Sequence, residues 1–337
     1  MDVVHLTRAL VDIESTTGAE ARAAEYLFGY LATLAARTGG IAERMPVTPQ
    51  RFNVLATWGT PMVTMSTHID TVPPFFASRE DDEFIWGRGS CDAKGIIAAM
   101  VAAAERLLEA GVRDFGLLFV VGEEKDSLGS MAAAKVNRGS KFLINGEPTE
   151  NLLALGSKGA LRFDLIAHGK LAHSAYPELG ESAIEKLLNV LEDVRKISLP
   201  CDELLGKSTL NIGTIEGGRA PNVIADEARA ELMFRLVGDS EVVRESLRRA
   251  VNGRLEMREA LCTEPLRMEA VDRLKTTVVA FTTDIPNFAG AWGRPLLIGP
   301  GSIHVAHTEN ERIAKKELEE AVGIYEGMVR KLWAGTA

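Results

Sequence analysis

At 337 residues the chain is long for one hydrophobic core, and its length points to about two domains. A composition of 46% hydrophobic and 25% charged residues is that of a soluble globular protein, with no low-complexity segment and no internal repeat. The net charge of -9 and the lack of any lysine/arginine block argue against general nucleic-acid binding, although a few local arginines could still meet an anionic substrate.

The first residues carry acids early and lack a basic stretch followed by an apolar core, so they do not read as a signal peptide. The longest apolar run, at 96–104, is far too short to cross a bilayer. Cys91, Cys201 and Cys262 are odd in number, widely spaced and form no CxxC, which fits a reducing cytoplasm without a disulfide framework.

In chain order, residues 3–13 have helical spacing, and Thr17-Gly-Ala-Glu20 resembles a capping box that opens a helix reaching about residue 36. Residues 51–58 and 61–67 read as strands, the second a short apolar run of the parallel-sheet type. The pattern over 95–110 predicts a helix with Ile96, Ile97, Met100, Val101, Leu107 and Leu108 on one face and Gly111 as its stop. An apolar strand over 115–121 ends in Gly122-Glu123-Glu124. A helix over 128–136 and a strand over 141–145 follow, the strand ending in Gly146-Glu147-Pro148-Thr149. This alternation predicts an α/β domain with a doubly wound sheet.

Near Gly159 the pattern changes. Residues 160–168 alternate as a half-buried strand, and a helix is expected over 182–196. Strands over 208–215 and 223–236 flank a turn, a charged helix runs over 240–258, and 264–270 could close a small sheet. The order β-α-β-β-α-β describes an inserted, self-contained α+β domain. The chain then returns to its first pattern, with a helix near 271–282, an apolar strand at 295–298, the turn Gly299-Pro300-Gly301 and a last helix over 314–333. The expected domains are therefore 1–158 with 271–337, and the insertion 159–270.

Several strand ends carry ionisable residues. His68 and Asp70, two apart, share one side of a strand. They could bind one metal together, or His68 could bind while Asp70 orients its ring; a structural hydrogen bond is the plain alternative. Asp92 sits in a glycine-flanked turn, where it could also be a helix N-cap with Lys94 as its charge partner. Glu123 and Glu124 end a buried run. Adjacent carboxylates there repel and are costly to desolvate unless cations neutralise them or one keeps a proton. One ligand and one general base is a sensible division, against the alternative of a solvated turn. Glu147 repeats the pattern, with Pro148 fixing its turn. His307 and its competitor His304 lie beyond the Gly-Pro-Gly turn, with Glu309 and Glu311 nearby. Taken jointly, His, Asp and Glu at the ends of four segments suit a catalytic two-metal site, with Asp92 able to bridge ions ~3.5–4 Å apart.

These residues resemble a known family, the co-catalytic zinc amidohydrolases that include acetylornithine deacetylase, succinyl-diaminopimelate desuccinylase, aminoacylase-1 and glutamate carboxypeptidase. The matching pieces are STHIDTVP (66–73), GRGSCDAKG (87–95), GEE (122–124), NGEPT (145–149), AHSAYP (172–177), PNVIAD (221–226) and GPGSIHVAHTENE (299–311). They stand in family order and span nearly the whole chain.

The resemblance implies a doubly wound zinc-peptidase-like catalytic domain whose insertion serves as lid and dimerisation domain. It implies one zinc held by His68, Asp92 and Glu147 and a second held by Asp92, Glu124 and His307, with Co2+ or Mn2+ as possible substitutes. Glu123 matches the general base, and Asp70 the partner of His68. His307 is preferred over His304 because Asn310-Glu311 follows it at the family spacing. A cis peptide after Asp92 is implied as well. His173 matches a histidine that stabilises the reacting carbonyl, often across a dimer; Asn222 and Arg235 match substrate-binding positions, Arg235 for a carboxylate. As plain residues these three read as a loop histidine, a turn residue and an exposed strand residue. The chain is somewhat short for the family, and Ala93 and Ala225 replace the Met and Pro often found there.

The implied activity is metal-dependent hydrolysis of the amide bond of an N-acyl amino acid by a metal-bridged hydroxide, with Glu123 as proton carrier. Glu147 and Cys91 in their contexts favour a deacetylase or desuccinylase. A dipeptidase or carboxypeptidase of the same family is the alternative, and a non-catalytic binding protein on this fold the remote one. The expected partners are the small substrate and a second copy of the chain, with neither nucleic acid nor membrane, in the cytoplasm.

Overall fold

A computed structural model describes residues 2–136 and 138–334. The chain forms two compact units. The first comprises Met1–Leu155, Met268–Thr277 and Thr283–Ala337, and the second Gly156–Arg267 and Val278–Thr282.

The first unit is built on a sheet in the order Ile41–Thr48, Arg51–Trp58, Phe115–Val120, Val63–His68, Phe142–Asn145, Arg294–Leu297 and Leu153–Ser157. The four strands from Phe115–Val120 to Arg294–Leu297 run parallel, and antiparallel strands flank them. The expected doubly wound sheet is thus a mixed one with a parallel centre. Side chains of Phe115–Val120 alternate between two cores: Phe115, Leu117 and Phe119 meet the long helices, whereas Leu118 and Val120 pack with Leu143, Phe288 and Trp292. Burial of such a side chain on either face stabilises the unit by ~1.5–3 kcal/mol. The parallel register sets His68 opposite Val120 and Ser66 opposite Asn145. The loops that follow these strands therefore leave the sheet side by side, the usual place for a site in such sheets.

The helix Lys94–Glu109 matches its expected span but is buried nearly all round in its first three turns, where small alanines let it pack closely. Other expectations fail for local reasons. Glu20 is the residue before the helix Ala21–Thr38, but no side chain caps that helix. Thr17 Oγ1 instead donates to Asp70, and Glu20 is taken up by Arg51. The strand Ile41–Thr48 is not legible in the sequence because it is an edge strand without apolar alternation and contains Pro46. No helix forms over 271–282 among the described residues; the β-branched run Thr276–Val279 is a strand there.

The second unit is a four-stranded antiparallel sheet in the order Thr209–Gly217, Glu227–Leu236, Gly159–His168 and Glu256–Thr263, with the helices Ala183–Val194 and Ser240–Val251. Along Glu227–Leu236 the residues Ala228, Ala230, Leu232, Phe234 and Leu236 enter the core, so Arg229, Glu231, Met233 and Arg235 share the opposite face. The charged helix is shorter than expected. Asn252 and Gly253 have φ of 47° and 69°, which ends the helix and frees 256–263 to become the fourth strand. The expected strand over 223–236 is broken, and its first piece, Val223–Ile224, pairs instead with Ala172–His173.

Cys91, Cys201 and Cys262 are all free thiols. No helix among the described residues is long and apolar enough to cross a membrane.

Candidate metal centre

His68 is the last residue of its strand and is buried. Its Nε2 lies 2.9 Å from Asp92 Oδ1 and 4.0 Å from Glu147 Oε2, while Nδ1 lies 2.9 Å from the backbone oxygen of Asp70. A carbonyl at Nδ1 places a ring proton there, and a cation that displaced the proton shared by Nε2 and Asp92 would meet the Nε2 lone pair. The Asp70 carboxylate is spent elsewhere: it accepts the N–H groups of Gly122, Glu123 and Glu124 at 2.9, 3.1 and 3.2 Å and the Thr17 hydroxyl at 2.7 Å. Its Oδ1 stands 3.6 Å from His68 Nδ1, behind the ring. The close contact to the His68 ring is thus the Asp70 backbone oxygen, while the carboxylate holds the 122–124 turn.

Asp92 precedes the helix Lys94–Glu109, and the Asp92–Ala93 peptide is cis. Its carboxylate lies between two imidazoles, with Oδ1 at 2.9 Å from His68 and Oδ2 at 3.3 Å from His307 Nε2. Asp92 caps no helix, and Lys94 is not its partner; the buried Lys94 ammonium donates to the Ile13 oxygen at 2.6 Å. Burial lowers that ammonium's pKa to about 7.

Glu124 lies 3.0 Å from His307 Nε2. His307, rather than His304, brings its ring to Asp92 and Glu124, from a backbone φ of 63°. Glu147 is buried, and its Oε1 has no hydrogen-bond partner among the described residues. Ligand atoms of His68, Asp92 and Glu124 lie within 4.8 Å of one another. His307 and Glu147 stand next to that group.

The electrostatics are those of a crowded acidic pocket. Burial and the charge of Glu147 push the Glu123 carboxyl well above the ordinary range, and burial does the same to Glu147 despite His68. Burial also raises Glu124, partly offset by His307. Burial opposes charge on His68, but Asp70 and Asp92 outweigh it and raise its pKa. Asp92 and Glu124 raise His307 to about 10. Carboxyls this close hold protons tightly, and a divalent cation that displaces those protons answers the same field. The residues fit such an ion: imidazole and carboxylate donors converge, and a buried carboxylate oxygen is left without a partner. This donor set accepts zinc, cobalt or manganese.

Reading the sequence did not reveal what holds Asp92 in place. Glu311 Oε1 accepts the N–H groups of Gly89, Cys91 and Asp92 at 2.8, 3.2 and 3.1 Å, and Arg88 binds its Oε2 at 2.5 Å. In the sequence Glu311 is only a spacing mark beside His307, and the one local signal for Arg88 is its place between glycines just ahead of Asp92. A further buried carboxyl, Asp284, is raised by burial and has Oδ2 without a partner.

His173, Asn222 and Arg235 belong to the second unit. His173 is exposed and its Nδ1 accepts the Ala175 N–H at 3.1 Å, which puts the ring proton on Nε2, a donor without a hydrogen-bond partner among the described residues. Asn222 is also exposed, and its backbone oxygen accepts the Ser174 N–H at 3.0 Å, so the two loops are joined. Arg235 is half-buried; burial lowers its pKa, and it has no acidic partner among the described residues.

The family model for peptidase family M20/M25/M40 matches residues 64–331. A peptidase M20 domain-containing protein of Schizosaccharomyces pombe is 39% identical over 337 residues, covering 97% of this chain and 84% of its own. A protein of Aspergillus fumigatus named "Probable carboxypeptidase" is 36% identical over 377 residues, covering 96% of this chain and 85% of its own. Among solved structures, the M20 family metallo-carboxypeptidase Sso-CP2 of Sulfolobus solfataricus has a TM-score of 0.79 with 18% identity, covering 98% of this chain and 99% of that one. At that identity the likeness speaks for the fold alone.

Proposed function

This chain belongs to peptidase family M20/M25/M40, and on that premise we propose that it is a metal-dependent peptidase that cleaves the bond next to a free C-terminal carboxylate, as a carboxypeptidase or dipeptidase does. The observation that carries the hydrolytic reading is the convergence of His68, Asp92 and Glu124 within 4.8 Å, beside the raised carboxyl of Glu123. The choice of a peptide substrate leans on relatives named carboxypeptidase. Those names favour the alternative that the sequence had put second to a deacylase.

In this reading His68, Asp92 and Glu147 hold one divalent cation, and Asp92, Glu124 and His307 the other. When bound, the ions supply carbonyl polarisation and make water a stronger nucleophile at neutral pH. Glu123 takes a proton from the attacking water as the carbon–oxygen bond forms. It returns that proton to the amine as the carbon–nitrogen bond breaks, so that one carboxylate serves both proton transfers. His173, with its free Nε2–H, is the proposed donor to the oxyanion. Arg235, half-buried without an acid, is the proposed partner of the substrate carboxylate, with Asn222 as a polar contact. The proposal includes a homodimer through the second unit.

A second reading, deacylation of N-acyl amino acids, has in its favour the contexts of Glu147 and Cys91, which resemble those of deacetylases and desuccinylases. Arg235 would serve both substrate classes. Hydrolysis rates for free-carboxylate peptides and N-acyl amino acids, measured side by side on metal-loaded protein, separate the two.

A further inference from the structure

Glu123 and Glu124 stand on a tight turn, 122–127, that is fixed from two sides. Asp70 takes the N–H groups of residues 122, 123 and 124 on one side, next to the metal centre. The other side has no metal-ligand candidate in it. There Arg51, the first residue of its strand and nearly buried, lies with Nη1 2.7 Å from Asp126 Oδ2. Its Nη2 and Nε meet Glu20 Oε1 and Oε2 at 2.7 and 3.1 Å. Asp126 N–H in turn donates to the Gly122 oxygen at 3.0 Å, and Asp126 Oδ1 accepts the Leu128 N–H at 3.1 Å. The clamp lies directly against the turn: a Cβ on Gly122 would fall 2.2 Å from Asp126 Oδ1 and 2.5 Å from Arg51 Nη2.

A guanidinium buried against Glu20, with the partly exposed Asp126 on its other edge, is a costly arrangement on the buried side. Its desolvation cancels much of the attraction, and apolar residues of similar volume often stabilise at least as well. What the pair supplies is direction, because the planar fork fixes Glu20 on one edge and Asp126 on the other. Accepting the reading of Glu123 as the proton carrier, we propose that Arg51 is a positioning residue for Glu123. It acts through Asp126 and the closed turn and touches neither substrate nor metal.

The test uses metal-loaded Arg51→Met, Arg51→Lys, Asp126→Asn and the double variant Arg51→Met/Asp126→Asn, assayed on the peptide the unmodified protein cleaves best. Arg51→Met is expected to lower kcat by ~10–100-fold, as misplacement of a reacting group does, with KM and bound metal changed by less than about twofold. Arg51→Lys, which keeps the charge but not the fork, should recover part of the loss. Asp126 is partly exposed, so Asp126→Asn should fold; it should lower kcat in the same direction, and the double variant should be no slower than Arg51→Met.

A lowered melting temperature with kcat within about twofold of the unmodified protein would make Arg51 merely structural and overturn the inference. So would loss of metal alongside kcat, or multiplicative effects in the double variant. If Arg51→Met does not fold, unchanged kcat in both Arg51→Lys and Asp126→Asn overturns it. These outcomes all presuppose an active unmodified protein; inactivity of that protein when metal-loaded would instead overturn the peptidase reading, and this inference with it.

Discussion

Glu311 Oε1 accepts the backbone N–H of Asp92 at 3.1 Å, across 219 residues of sequence. Together with the N–H groups of Gly89 and Cys91, this bond ties the loop that carries Asp92 to the segment that carries His307. Two candidate ligands far apart in the chain are thereby set against each other by a carboxylate that belongs to neither. Glu311→Ala would strand three N–H donors and the Arg88 guanidinium in a buried place. Metal affinity, measured by competition with a chromophoric chelator, should fall ~10–100-fold. Unchanged affinity in the folded variant would make Glu311 irrelevant to the metal centre.

Stripping the protein with a chelator should abolish hydrolysis, and adding zinc, cobalt or manganese should restore it. Ions that bind the folded chain in preference to the unfolded one should raise the melting temperature, each site adding ~2.7 kcal/mol of stability at a hundred times its dissociation constant. A stripped protein with full activity would contradict the ligand assignment.

Glu123→Gln should keep its metal and lose ~100- to 10,000-fold in kcat, because the amide cannot carry the proton between water and amine. Metal content is the control. Most of the activity surviving in the metal-loaded variant would remove Glu123 from its proposed role.

Arg235→Ala should raise KM for a substrate with a free carboxylate and leave an amidated counterpart little changed. Hydrogen bonds to charged groups contribute ~1.5–3 kcal/mol, so a loss of roughly 10- to 100-fold in kcat/KM is expected. Equal losses on both substrates would mean that Arg235 does not read the carboxylate.

The fold class was legible in the sequence, and so was the set of strand ends that the structure brings together. His68, Glu124 and Glu147 could be picked out because each ends or follows an apolar strand where an ionisable residue needs a reason, and a parallel sheet brings such ends together. The strand Ile41–Thr48 and the end of the helix Ser240–Val251 were harder. The first is an edge strand with little apolar alternation, and the second ends at a left-handed asparagine that hydrophobic spacing does not reveal. Glu311 and Arg51 escaped for a different reason: their roles lie in hydrogen bonds to residues far away in sequence, and no local pattern records such a partner. The Thr17–Glu20 capping box shows the converse error, since both side chains have stronger tertiary partners in Asp70 and Arg51.

The central claim is most directly tested by kcat/KM for a matched panel on metal-loaded protein: dipeptides and N-blocked dipeptides with free C-terminal carboxylates, their C-terminal amides, and N-acetyl and N-succinyl amino acids. The account predicts metal-dependent cleavage of the free-carboxylate peptides, with the amides and the N-acyl amino acids clearly slower. Preference for the N-acyl amino acids, or no hydrolysis of any member with metal fully bound, would contradict it.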